Sequence, residues 1–201
     1  MEIAKIKTNS SHLGVITKLF DDGISLKKKC RNELSDIICS AATLIAERIN
    51  IGKKILACGN GGSAADCQHF SAELLNRFEK EREALPAIAL TTDSSTLTSI
   101  GNDYDFSEIF SKQIVALGQE NDVLLAISTS GNSRNILRAI ESAQKKKLTT
   151  ILLTGSNGGQ ASTMLHPSDI LIRVPNTSTA RIQEIHIFII HCICAIVDLN
   201  N

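Results

Sequence analysis

The sequence has no surplus of either charge: 21 Lys and Arg stand against 21 Asp and Glu over 201 residues. Such a balance lacks the basic footprint on which nucleic-acid binding depends, so no nucleic-acid partner is expected. No C-x-x-C pair is present either. The six cysteines, Cys30, Cys39, Cys58, Cys67, Cys192 and Cys194, lack the paired spacing of a zinc knuckle and read as small buried hydrophobes in a reducing compartment. The stretch Met1 to Lys7 has no apolar core of the kind a secretory signal needs, and a cytoplasmic location is expected. Low-complexity tracts, inter-domain linkers and sequence repeats are missing too. A length of 201 residues suits one domain with a proper core, here divided into a helical segment 1–52, an α/β core 53–175 and a C-terminal helix 176–201.

A clean membrane span is also lacking. The run from Ile182 to Leu199 is strongly apolar, but Gln183, Glu184, His186, His191 and Asp198 interrupt it, which predicts a buried helix and no membrane partner. A helix apolar on most faces needs cover from several sides, and oligomerisation would supply it. The basic runs Lys27-Lys28-Lys29 and Lys145-Lys146-Lys147 are expected near helix ends, where the helix dipole favours them.

What is present is an alternation of two rhythms. From Ser10 to Ile51, apolar residues recur at three-to-four spacing (Leu19, Ile24, Leu34, Ile37, Ile38, Leu44, Ile45), predicting two helices that break around residue 30. Short apolar runs then follow: Ile55–Cys58, Ala87–Leu90, Val123–Ile127, Thr150–Leu153 and Ile170–Val174, with a helix over Ala64–Phe78 and helical stretches between most of the others. Continuous apolar strands alternating with helices imply a parallel sheet covered on both faces, which binds ligands beyond the carboxyl ends of its strands.

Two loops sit at that edge. Ser128-Thr129-Ser130-Gly131-Asn132-Ser133 offers hydroxyl donors, a glycine for a tight turn and the N-terminus of the following helix, which together describe an anion cradle. Gly59-Asn60-Gly61-Gly62-Ser63 superficially matches a dinucleotide fingerprint. The acid required at the tip of the second strand is missing from Ala87–Leu90, however, and Asp93 comes too late, which disfavours a nicotinamide enzyme. On the helix after this loop, His69 and Glu73 lie four apart and share one face, suited to a metal or a proton-transfer pair.

These pieces, together with Gln68-His69-Phe70, Gly101-Asn102-Asp103 and Arg181-Ile182-Gln183-Glu184-Ile185-His186, in this order, resemble the sugar isomerase (SIS) domain family and within it the phosphoheptose isomerases. The resemblance spans nearly the whole chain. It implies a flavodoxin-like three-layer α/β/α sandwich with a five-stranded parallel sheet, a homotetramer with active sites between subunits, and a phosphosugar substrate. It also implies conversion of sedoheptulose 7-phosphate to D-glycero-D-manno-heptose 7-phosphate, toward heptose for lipopolysaccharide. By the same resemblance, Ser128, Thr129, Ser130 and Ser133 grip the phosphate, and Asn60, Gly61, Gly62, Asn102 and Asp103 contact the sugar. One zinc ion per subunit would be held by His69, Glu73, Gln183 and His191, with Glu73 and Gln183 also meeting substrate.

An aldose–ketose isomerase moves a proton between C1 and C2 through an enediol and needs a base, an acid and charge stabilisation. Glu73 is the expected base and His191 its partner. A carboxylate bound tightly to zinc has lowered proton affinity, so the two duties of Glu73 compete. Gln183 and His191 are eight apart, about 12 Å of helical rise and about 80° of rotation, so one ion reaches both only if their side chains converge. Asp66 stands nearly one turn before His69 as an assisting acid, and Ala180 occupies a position where some family members carry an acid. A related adaptor group binds the bacterial replication initiator without catalysis, but it lacks the acid and base that Glu73 and His191 retain here. A phosphosugar sensor would use the Ser128–Ser133 loop without turnover.

Overall fold

A computed structural model describes residues 10–200. The signal-peptide expectation for Met1–Lys7 and the outermost residues of the helical segments 1–52 and 176–201 lie outside the described residues. The first element is one helix, α1, Ser10–Asn50, about 60 Å long. The expected break near residue 30 does not occur. The stretch 27–32 contains neither proline nor glycine, and its Lys and Arg are good helix formers, so Leu26, Cys30 and Leu34 simply continue the buried face one turn apart. Lys27–Lys29 therefore lie mid-helix, not at an end. Lys145, by contrast, does close its helix.

Five strands follow: β1 Ile55–Gly59, β2 Ala87–Ala89, β3 Val123–Ser128, β4 Thr149–Gly155 and β5 Ile170–Val174. All pair in parallel in the order β2-β1-β3-β4-β5. The remaining helices are α2 Gly62–Leu75, α3 Ser94–Asp103, α4 Ser111–Leu117, α5 Arg134–Lys145, α6 Gly159–Thr163 and α7 Thr179–Asn200, with a 3₁₀ turn at Phe106–Glu108. The sequence expectation of a doubly covered parallel sheet is met.

Alternate residues of each strand serve opposite layers. Ile55, Ala57, Val123, Leu125, Ile127, Ile151 and Leu153 join α1, α2 and α7 in one core, while Leu56, Cys58, Leu124, Ala126 and Leu152 join α4, α5 and α6 in the other. Each fully buried Ile or Leu contributes about 1.5–3 kcal/mol. By length and composition α7 could cross a membrane. Here it packs on α1, α2, β4 and β5, burying Ile182, Ile185, Ile189, Ile190 and Ile193. All six cysteines are unpaired, and four are buried, but Cys39 is exposed and Cys192 half-buried, a partial correction to the expectation for them.

Candidate active site

The chain reverses its winding direction between β1 and β3, the place where a doubly wound sheet opens a crevice at its carboxyl edge. The loops after these two strands are the glycine-rich and serine-rich segments.

In the glycine loop, Gly61 has φ +54°. A Cβ on Gly62 would lie 2.6 Å from Gln183 Nε2, so the absence of a side chain is what admits the Gln183 carboxamide from α7. Asn60 is held by Asn135 of α5 through two reciprocal amide hydrogen bonds of 2.9 and 2.8 Å. Asn135 is buried, and this contact ties the glycine loop to the first turn of α5, directly after the serine loop.

In the serine loop, Ser128 Oγ accepts from the Gly131 N–H at 3.2 Å and stands 3.5 Å from Ser133 Oγ. Ser130 Oγ accepts from the Asn132 N–H, and the Thr129 carbonyl accepts from Gly155. Gly131 has φ +65°, and a Cβ there would overlap the Gly158 carbonyl, so only glycine fits. Ser133 is the N-cap of α5 but makes no side-chain cap bond, which leaves its hydroxyl facing Ser128.

Between α2 and α7 the chemistry-bearing groups meet. His69 Nε2 is 2.9 Å from His191 Nε2 and 3.3 Å from Glu73 Oε1. Phe78 stacks on the His191 ring with centroids 5.6 Å apart. If neither Nε2 carries a proton, the lone pairs of two imidazoles and a carboxylate face one another around His69, an arrangement relieved by a proton or a metal cation.

For zinc the donor chemistry fits. Two nitrogens on one tetrahedral ion stand about 3.3 Å apart, a few tenths more than His69 and His191 do here. The links form a chain, Glu73–His69–His191, and among the described residues no three His, Cys, Asp or Glu form a closed ligand group. Gln183 is placed against Gly62, at the first turn of α2, while His191 meets His69 two turns further on.

Asn102 and Asp103 lie at the end of α3, both exposed, with Asn102 Nδ2 donating to Asp103 Oδ1 at 2.9 Å. Asp66 is half-buried; burial raises its carboxyl pKa to about 6 against the smaller opposing pull of His69, and its buried Oδ2 has no hydrogen-bond partner. Asp66 lies one turn before His69 on α2. The contacts of Asn135 with Asn60 and of Phe78 with His191 were not legible in the sequence. His186 Nε2 donates to the Thr154 carbonyl, 3.1 Å away, and burial lowers its pKa to about 4.

A glycine-rich and a serine-rich loop flank the switch point of the parallel sheet, whose order is β2-β1-β3-β4-β5, and the SIS domain family matches residues 19–155. A phosphoheptose isomerase of Shewanella sediminis is 56% identical over 179 residues, covering 89% of this chain and 91% of that protein. The structure of a phosphoheptose isomerase from Francisella tularensis superposes with a TM-score of 0.91 at 46% identity, covering 96% of this chain and all of the other. One from Neisseria gonorrhoeae gives 0.89 at 45%, covering 93% and 98%. The chain belongs to the phosphoheptose isomerase family of SIS-domain proteins.

Proposed function

We propose that this chain interconverts sedoheptulose 7-phosphate and D-glycero-D-manno-heptose 7-phosphate, supplying heptose for lipopolysaccharide precursors. The observation that carries this reading is the Glu73–His69–His191 chain of contacts, set beside two ligand loops at the switch point. The phosphate is held by the hydroxyls of Ser128, Thr129, Ser130 and Ser133 and by the N-terminus of α5. Asn60, Gly61, Gly62, Asn102, Asp103 and Gln183 contact the sugar chain.

Glu73 takes a proton from C1 of the ketose. The C–H electron pair becomes the C1=C2 bond and the C2 carbonyl oxygen gains a proton, giving the enediol. Return of a proton to C2, with loss of the O1 proton, leaves the aldehyde at C1; His191 is the partner that holds and returns protons on the oxygens. Phe78 against His191 fixes the ring plane, so the proton is presented in one direction. A zinc ion held by His69, Glu73 and His191, with Gln183 joining them only by leaving its place against Gly62, would polarise the carbonyl and balance the enediolate charge.

A cytoplasmic homotetramer with sites between subunits is part of the same proposal. Leu13, Ile16, Phe20 and Ile24 on the outer half of α1 are 50–70% exposed and support such packing. The adaptor reading is not favoured, because Glu73 and His191 are both present and linked through His69. Incubation of the purified protein with sedoheptulose 7-phosphate, with and without a chelator, tests the proposal. Aldose formation is expected; its absence removes the isomerase reading, and activity that survives metal removal discards only the zinc.

A further inference from the structure

Behind the site, Arg82 and Asp198 form an ion pair that is almost wholly enclosed. Their side chains are 4% and 3% exposed, with Arg82 Nε donating to Asp198 Oδ1 at 2.7 Å. The other Asp198 oxygen accepts from the backbone N–H groups of Glu79 and Lys80 at 3.1 and 3.2 Å. Arg82 Nη2 donates to the Glu73 carbonyl at 2.8 Å, and Nη1 to the carbonyls of Leu74 and Glu83 at 2.9 and 3.0 Å. Although burial opposes it, this set of donors holds the Asp198 carboxyl below the ordinary aspartate range.

The guanidinium therefore caps the C-terminus of α2 at the carbonyl of Glu73 itself, where its charge also suits the helix dipole. Asp198 stands seven residues, about two turns, beyond His191 on α7. One ion pair thus joins the end of the helix carrying Glu73 to the end of the helix carrying His191. The same pair anchors the 76–82 turn, from which Phe78 stacks on His191. A buried ion pair adds little net stability over an apolar pair of equal volume, so its return is sought in fixed geometry.

We propose that Arg82 and Asp198 are positioning residues that keep the Glu73 carboxylate in register with His191, acting through the Glu73 backbone and through Phe78. The inference rests on the isomerase reading. Neither side chain touches substrate; what they set is the separation and orientation of the groups that do.

The test compares the parent with Arg82→Lys, Asp198→Asn and the apolar double variant Arg82→Met/Asp198→Leu, which keeps the fold available if a single variant unfolds. Four quantities are measured: kcat and KM on sedoheptulose 7-phosphate, the thermal midpoint, and the His191 imidazole signals by NMR. The expected result is a fall in kcat of about 10- to 100-fold with KM within about threefold of the parent. The His191 resonances shift, and the double variant regains the thermal midpoint without regaining kcat. Folded variants with kcat within about twofold of the parent and unmoved His191 signals would overturn the proposal. An inactive parent sinks the isomerase reading instead, while the imidazole signals still decide whether the pair sets the ring.

Discussion

His69 and His191 meet nitrogen to nitrogen, Nε2 to Nε2 at 2.9 Å, although 122 residues separate them in the chain. The contact joins α2 to α7, and in the proposed reaction it links Glu73, through His69, to His191. His191→Gln keeps a polar side chain of similar bulk but removes the ring that exchanges the proton. Its kcat should fall by about 10²–10⁴-fold, with the thermal midpoint close to that of the parent. A variant retaining parental kcat removes His191 from the reaction.

Gly131 is predicted to be intolerant of any side chain. Its backbone is left-handed, and an added Cβ would overlap the Gly158 carbonyl. Gly131→Ala should lose about 1–3 kcal/mol from the strained backbone alone, more with the clash, and should raise KM by displacing Ser130 and Ser133. Urea unfolding and initial rates measure both; an unchanged midpoint would mean that the loop relaxes freely.

The pH dependence of stability should show two opposing groups. His186, held at about 4 against an ordinary 6.5, stays neutral in the fold while the unfolded chain takes up a proton, so its contribution is complete above about pH 6.5 and is lost as pH falls toward 4. The size is on the order of 3 kcal/mol. Asp66 works the other way: raised from 3.8 to about 6, it keeps its proton in the fold, and stability falls as pH rises across that interval. Between about pH 4 and 6 the two partly cancel. Asp66→Asn should therefore steepen the loss of stability on acidification, and His186→Gln should flatten it. Denaturant midpoints at three acidic pH values decide this, and identical slopes in all three proteins would contradict the assignments.

Asn135→Ala removes both amide bonds to Asn60 and leaves a polar side chain beside the glycine loop without its partner. A loss of about 1–3 kcal/mol is expected, together with weaker substrate binding because the glycine loop is no longer tied to the start of α5 beside the serine loop. Unfolding midpoints and KM report the two effects separately. Parental values for both would show that the pair is dispensable.

The strands and the two ligand loops were legible because apolar runs bounded by glycine and serine are local signals. Ile55, Val123 and Ile170 begin strands where the pattern changes, and the boundaries moved by only one or two residues. The continuity of α1 was obscured by the polar stretch around Lys27–Asn32, whose solvent-facing charges hid the one-turn spacing of Leu26, Cys30 and Leu34. The helix expected to run to Phe78 stops at Leu75, and its last carbonyls turn to Arg82, a partner no periodicity reveals. Asp198 was visible only as an interruption of an apolar run; its role depends on Arg82, 116 residues away. His69 and Glu73 were legible as a pair because four-residue spacing is a helix property. That His191 would face them, and that Gln183 would instead lie against Gly62, are outcomes of how α2 and α7 run beside each other.

Everything proposed for this site turns on Glu73 as the base, and the most direct measurement is sedoheptulose 7-phosphate conversion by the parent and by Glu73→Gln, followed by NMR in matched folded samples. Aldose heptose phosphate should accumulate with the parent and stay at background with the variant; no aldose from the parent, or equal rates from both, would contradict it.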